Sequence, residues 1–462
     1  MSSPISSISG LISGMDSTSL IAQLMQIEAE PQTQLKAQLA TAQADAAAYR
    51  DVNSAFAALQ SAATALTQSS GWTPVKATSD SATVTASATV GATAGSLTFT
   101  VNSLAAAHSV VTAQNWTNTA DAFGLGSSLT LTKADGTTTA ITVGGTGTLA
   151  DAITAINAAG AGVTASAVNT GSGYRLQVAA SGTGAASAFT LSASGGTSST
   201  FSVLTQGQDA AITVGSGTSA YQVTSSTNTF TAVLPDTSFT VSQASTTATV
   251  TVATDPDAVT AAVQSLVTAA NTVLSKIATY TRSGNGSTAP LQGDSTLTDL
   301  AGQVLDSVTS AIGGNSAALA GLQVTKDGQL TFDATAFKAE LASNPGLAQS
   351  IVGGSTGAGT DAIPGTADDT VATDGIAARL AVLAGQASDS TTGMLTSLAA
   401  GQDSTARDVQ SRIDDWTIRL QLRQQTLTAQ FTAMETALGT LKNQSSWLTS
   451  QIMSLPSWTS SK

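Results

Sequence analysis

The sequence predicts an α+β multidomain chain, in which long helical coiled-coil ends and a mainly helical domain bracket inserted antiparallel β-rich domains. Two patterns carry this expectation. Near the C-terminus, Leu427, Phe431, Met434, Leu438, Leu441, Ser445, Leu448, Ile452 and Leu455 alternate steps of four and three, and eight of the nine are apolar. That spacing puts them on one helix face as a coiled-coil seam, which needs a partner helix. Toward the N-terminus Leu20, Leu24 and Ile27 keep the same steps, and after a break at Pro31 the pattern runs through Tyr49, Val52, Phe56, Leu59, Ala63 and Leu66. Between the two ends the period changes to two, as in Leu97, Phe99, Val101 and in Val250, Val252, with Gly, Ser, Asn and Asp turns between segments.

The elements follow in order. A helix is expected over 16–69, with Asp16, Ser17 or Thr18 as its cap, an interruption at Pro31, and Gly71, Trp72 and Pro74 closing it. Strands fill 75–255 apart from one helix at 149–159, where Thr148 and Asp151 make a capping-box signal ahead of Ile153 and Ile156. Asp255 and Pro256 form an N-cap and first-turn pair, after which Val259, Val263, Leu266, Ala270, Val273, Ile277 and Tyr280 mark a long helix. Another helix covers 295–312, and Val324 to Phe332 reads as a hairpin turning at Asp327 and Gly328. The Gly- and Asp-rich stretch 353–375 is a loop, 375–400 is weakly helical, and 404–455 is strongly so.

Packing helix on helix divides the chain into terminal coiled-coil segments (1–42 and 425–462), a mainly helical domain (43–74 and 256–424), a β-rich domain (75–112 and 207–255) and an inserted β-rich subdomain with one helix (113–206). The stripes at 49–66, 259–280 and 409–420 read as ordinary domain core. The stripe from 427 to 455 differs. Val409, Ile413, Trp416, Leu420, Arg423 and Leu427 hold one register, then the step from Leu427 to Phe431 is a second four in a row. Such a phase shift locally unwinds a supercoil and marks where the helix leaves its domain.

Composition excludes several classes. Sixteen Lys and Arg against 29 Asp and Glu give a net charge of −13, which repels phosphates and anionic lipid alike, so neither a nucleic-acid partner nor membrane insertion is expected. There is no cysteine, hence no disulfide and no thiolate metal site. The first lysine is Lys36 and the first arginine Arg50, so the N-terminus lacks the basic region of a signal peptide, and export would use another route.

Candidate chemistry is sparse. Gly145, Gly147 and Ala150 fit a glycine-rich dinucleotide loop, but no acid lies between Asp151 and Asp209 to hold a ribose, so the segment reads as a capped helix start. His108 is the only histidine, has no triad or metal partner in the pattern, and reads as a surface or strand-end residue. Asp361, Asp368, Asp369 and Asp374 lie in one loop without EF-hand spacing and read as solvated. No catalytic residue, metal site or cofactor is assigned, and an enzyme is not expected.

Several motifs resemble one family. Ile8-Ser9-Gly10-Leu11-Ile12-Ser13-Gly14-Met15-Asp16, followed by Leu20-Ile21-Ala22-Gln23-Leu24-Met25, is similar to the N-terminus of the bacterial flagellar filament-capping proteins, the hook-associated protein 2 family. Asn228-Thr229-Phe230 with Leu234-Pro235-Asp236-Thr237, Leu291-Gln292-Gly293-Asp294-Ser295-Thr296-Leu297, Val324-Thr325-Lys326-Asp327-Gly328-Gln329-Leu330 and Asn344-Pro345 resemble its later regions, in order. Residues 149–192, with Tyr174-Arg175-Leu176, look like a repeat shared with flagellins. Two departures stand out: Pro235-Asp236 replaces the family's usual Pro-Gly turn, and the 353–375 loop is longer than expected.

The resemblance implies a secreted structural protein at the filament tip, exported by the flagellar secretion system without a cleaved signal peptide. It implies a ring-like homo-oligomer whose head domains form a plate and whose helical legs contact flagellin. Hook-associated junction proteins and the export machinery or a chaperone would be further partners. Leu20, Leu24, Ile27, Leu427, Phe431, Met434, Leu438, Leu441, Leu448, Ile452 and Leu455 are the expected oligomer or filament contacts. The alternatives are a surface adhesin and a flagellin-like or junction protein.

Overall fold

Helices form where the four-three stripe places them. In the computed structural model, which describes residues 16–194, 201–284, 286–354 and 374–454, α1 spans Ser17–Glu28 and α2 Glu30–Thr67. Asp16 caps α1 by accepting from the Ser19 N–H at 3.0 Å. The break falls at Ala29 because Pro31 lies in the first turn of α2, where its missing N–H costs nothing. The chain separates into two compact units, one made of Met1–Gln68 with Thr260–Lys462, the other of Ser69–Val259.

The second unit is β-rich. Its strands are β1 (Val75–Ser79), β2 (Val84–Ala88), β3 (Gly95–Ser103), β4 (Ala107–Thr112), β5 (Ser128–Lys133) and β6 (Thr138–Thr142), then, after α3 (Leu149–Ala158), β7 (Val163–Asn169), β8 (Tyr174–Thr183), β9 (Phe189–Ala193), β10 (Phe201–Thr205), β11 (Ala210–Val214), β12 (Tyr221–Ser225), β13 (Thr229–Thr231), β14 (Thr237–Val241) and β15 (Thr247–Thr254). All named pairings are antiparallel, and two separate cores result.

In the first core, the sheet β1-β15-β3-β11-β12 packs with β13-β14-β2. Alternating residues such as Phe99, Val101, Ile212, Val250 and Val252 point inward, as a period of two requires. Phe239 stacks on Phe99 at 4.6 Å and on Phe230 at 5.4 Å, so a few aromatics hold a core otherwise built mainly from Val and Ala, with Ile212. In the second core, β10-β4-β8-β7 and β6-β5-β9 pack with α3 around Leu129, Leu131, Leu149, Ile156, Leu176 and Val178. Strand β4 lies on the near side of the boundary expected at 112, yet it pairs with β8 and β10 beyond it.

The remaining elements complete the first unit: α4 (Pro256–Thr281), α5 (Ser295–Thr309), β16 (Leu322–Val324), β17 (Leu330–Phe332), α6 (Ala334–Ser343), α7 (Pro345–Val352), α8 (Ile376–Ser388) and α9 (Met394–Met453). Helix α4 is long and apolar enough to cross a membrane by composition, but Val263, Leu266, Val267, Ala270, Val273, Leu274 and Ile277 are buried protein core. The 295–312 helix stops at Thr309, and Ile312 instead bridges to Asn315. Gly328, at φ +72°, closes the β16–β17 hairpin as its sequence required. Helices α6 and α7 are absent from the sequence reading. Between Asp333, which caps α6, and Asn344 only Phe337 is buried, so α6 shows no stripe.

Candidate functional site

The terminal helices form the candidate site, and α9 organises it. This helix runs unbroken for 60 residues, through the weak and strong parts that the pattern separates. Its first half lies antiparallel to α2 and α1. Arg50 forms an ion pair with Asp403, Gln32 Nε2 donates to Thr417 Oγ1 at 2.7 Å, and Arg423 Nε donates to Glu28 Oε1 at 2.8 Å. Leu35, Val409 and Ile413 are buried between them, with Leu39 and Trp416 alongside and the Arg419 guanidinium 5.6 Å from the Trp416 ring.

The base of this pairing is fixed by polar ties on the other side of α2. Asp51 accepts from Lys276 and, at 2.8 Å, from the Tyr280 hydroxyl. Those two donors hold its carboxyl below the usual carboxylate range. The Tyr49 hydroxyl donates to Asp294 at 2.5 Å, while Asp294 also caps α5 through the Thr296 and Leu297 N–H groups. Burial, then Asp294, pushes the Tyr49 hydroxyl well above its ordinary value. These groups anchor helices and have no substrate-facing arrangement.

Along the predicted seam burial declines steadily. Leu427 is 7% exposed and so already used within the chain. Phe431, Met434 and Leu438 are half-buried, and every residue from Thr440 to Ser454 is exposed. Within that last stretch Leu441, Leu448 and Ile452 are 54–60% exposed. In α1, Leu20, Leu24 and Ile27 are also exposed, whereas Ile21, Met25 and Glu28 on the adjoining face are half-buried. Leu455 lies outside the described residues, as do the opening motif up to Met15 and Asp361, Asp368 and Asp369.

The exposed end of α9 spans about 22 Å at 1.5 Å per residue. An isolated helical segment of this length is marginal in water, and an apolar stripe along it gains nothing from solvent. Lys442 is the only charged residue from Thr440 to Ser454. The polar side needs no partner: Thr428, Thr432, Thr436 and Thr440 donate to carbonyls four residues back. The seam positions omit Trp447 and Met453, which are exposed beside Leu448 and Ile452, and miss Ile418 and Leu422, exposed further up α9. An off-register tryptophan in a polar run was the available signal.

Alternative chemistry dissolves at the atomic level. The Asp151 carboxylate sits in the glycine loop, accepting from the Thr146 and Thr148 N–H groups at 3.0 Å each and from the Thr148 hydroxyl at 2.8 Å. The capping box is complete, and the backbone donors a phosphate would need are taken by the protein's own carboxylate, held acidic by those bonds. His108 is not at the surface. It is 3% exposed, because its place in β4 turns it onto Phe189, whose ring it meets edge-on at 5.0 Å. Among the described residues no group of three or more His, Cys, Asp or Glu could hold a metal ion. An open cleft of about 460 Å³ between α5 and α8 contains Asp306, Asp374 and Arg379, and among the described residues Arg379 donates to the Ser310 and Ala311 carbonyls, at 3.4 Å.

Comparison with known proteins agrees with the motifs. The family described as flagellar hook-associated protein 2 C-terminus matches residues 207–443, and the corresponding N-terminus family matches residues 13–108. A flagellin hook IN motif matches residues 128–182. No match among curated proteins reaches significance. Among solved structures, the D1-D2-D3 domains of the flagellar cap protein FliD from Escherichia coli are 26% identical with a TM-score of 0.56, covering 77% of this chain and 99% of that one. FliD from Pseudomonas aeruginosa PAO1 is 26% identical over 45% of this chain and 100% of that one, with a TM-score of 0.36.

Proposed function

Because the chain belongs to the flagellar hook-associated protein 2 family and is a flagellar filament-cap protein, we propose that it works as a ring-like homo-oligomer that helps exported flagellin fold and insert, and prevents its leakage. The observation that carries this reading is the bare end of α9, a nearly uncharged apolar stripe that no described part of the chain covers. Its role is structural, not enzymatic.

In this proposal Leu441, Leu448, Ile452 and Leu455, continued by Phe431, Met434 and Leu438, contact other subunits or the filament, and Leu20, Leu24 and Ile27 supply the matching stripe on α1. Leu427 serves the chain's own packing. Residues 1–42 and 425–462 act as the terminal coiled-coil segments, 43–74 and 256–424 as the leg domain, 75–112 with 207–255 as one head domain and 113–206 as an inserted head subdomain. Flagellin, the junction proteins, and the export machinery or a chaperone are the partners, and the flagellar system exports the chain. Expression in a strain lacking its filament cap tests this: restored motility with flagellin retained in filaments is expected. A stable, secreted protein that leaves flagellin monomers in the medium would overturn it.

A further inference from the structure

His108 stands where the chain crosses between the two cores of the β-rich unit, and no role described so far uses it. Three passes of chain meet there, residues 104–108, 183–187 and 206–209. Ala106 N–H donates to the Gln208 carbonyl at 2.9 Å, while Gln208 and Gly184 N–H groups each donate to the Ala106 carbonyl at 3.2 Å. Ala185 N–H donates to Asp209 Oδ1 at 2.7 Å. Within this knot the His108 backbone N–H donates to Ser187 Oγ at 3.3 Å, and its ring Nδ1 accepts from the Gly207 N–H at 3.2 Å. Gly207 has no slack: a Cβ there would stand 2.9 Å from both the Gly184 carbonyl oxygen and Ser187 Oγ.

The Gly207 bond dictates where the imidazole proton sits. Nδ1 must present its lone pair, so the proton is on Nε2, a buried atom with no partner. A second proton has only Nδ1 to go to, and there it sets a donor against the Gly207 donor. Among the described residues the added charge meets no free anion. On β5, Lys133 lines the same cavity of about 350 Å³ and is itself cationic. In the 206–209 pass, the Asp209 carboxylate already accepts from Ala185. The 185–187 turn and β9 bring Ser187 and Phe189, which carry no charge.

We propose that His108 is a proton-operated latch: neutral, it fastens the 206–209 pass to β4, and protonated, it frees the lobe built on the second core to turn on the first while both cores stay folded. Since it is the only histidine in the chain, ¹⁵N-histidine labelling of the full-length protein reads this one ring. Amide exchange, corrected for its intrinsic pH dependence, reads the knot. In a titration run from about pH 7.5 to pH 5, protection of the Gly184, Ala185 and Gly207 amides should fall roughly tenfold as the ring signal becomes that of an imidazolium, with the Val101 and Leu131 amides unchanged. His108→Asn, which keeps an acceptor near the Nδ1 position and cannot titrate, should show no such fall; His108→Gln stands in if the first variant does not fold. A ring that stays neutral over this range, a charged ring with undiminished protection at Gly207, or an equal fall in the variant would each overturn the proposal.

Discussion

Replacing Leu441 by Asp separates a helix that waits for a partner from one that is merely core. The side chain is 60% exposed in the single chain. Full burial of a leucine is worth about 1.5–3 kcal/mol, so roughly 1–2 kcal/mol remains to be gained at each such contact on assembly. An aspartate placed there would cost several kcal/mol if it stayed ionised in a dry interface. Within one chain the substitution changes little beyond helix propensity, about 0.5 kcal/mol, or roughly 1–2 °C in a unit of this size. Leu427→Asp is the control, because that residue is 7% exposed; losing its packing alone costs about 2–5 kcal/mol, lowering Tm on the order of 10 °C. Melting followed by circular dichroism, alongside sedimentation velocity, reads both quantities. The expected pair is a normal melt with lost self-association for Leu441→Asp, and a depressed melt for Leu427→Asp. A Leu441→Asp protein that melts ten degrees early, or one that melts normally and still assembles, would refute the reasoning.

A fragment of residues 75–255 should fold alone, since both of its cores close within it; far-UV circular dichroism that reads as unfolded or mainly helical would count against this. Ala232 holds φ +60° and Asp236 φ +52°, so Ala232→Gly should raise stability to urea by about 1 kcal/mol, and Asp236→Gly by less because Asp tolerates that region. A lower urea midpoint for Ala232→Gly would contradict it. Asp51 has its carboxyl lowered, first by the Lys276 hydrogen bond and then by that of Tyr280, so its contribution is present above the ordinary carboxylate pKa and fades as pH falls through the lower folded value. Asp51→Asn should therefore lose less stability than the parent between about pH 5 and pH 2, by only ~0.5–1 kcal/mol because the pair is partly exposed; identical losses would sink the assignment.

How much the sequence discloses depends on whether a signal is local. The Thr148–Asp151 capping box, the Pro31 break and the Gly328 turn are decided by neighbours along the chain, and each is found where its residues put it. The Pro235-Asp236 departure is also explained locally, as an aspartate carrying the positive φ that a glycine would. His108 lies at the start of β4, as the strand-end reading has it, but its burial is not legible, because it comes from Phe189 and Gly207, some 80 and 100 residues further on, which no periodicity records. The same limit applies to the seam. Spacing identifies one face of α9, but which of its positions α1 already covers depends on an antiparallel pairing such as Arg423 with Glu28, invisible in a four-three count.

The pairing of β1 with β15 has an effect on the time order of folding. Val75 sits opposite Thr254, and the Asp255 N–H reaches the Pro74 carbonyl at 2.8 Å, so the two mouths of the β-rich insertion are stapled together. Until that staple forms, α2 and α4 are held by a tether of roughly 190 residues, and each doubling of a loop adds about 0.6 kcal/mol to its closure. Once the insertion has folded, the effective loop between α2 and α4 shrinks to a few residues, removing some five doublings, or about 3 kcal/mol. Helix α2 must still wait for α8 and α9, which are made later than α4. The β-rich unit, complete by residue 259, can therefore be finished before the helical unit, whose two chain segments its closure brings near each other in sequence terms.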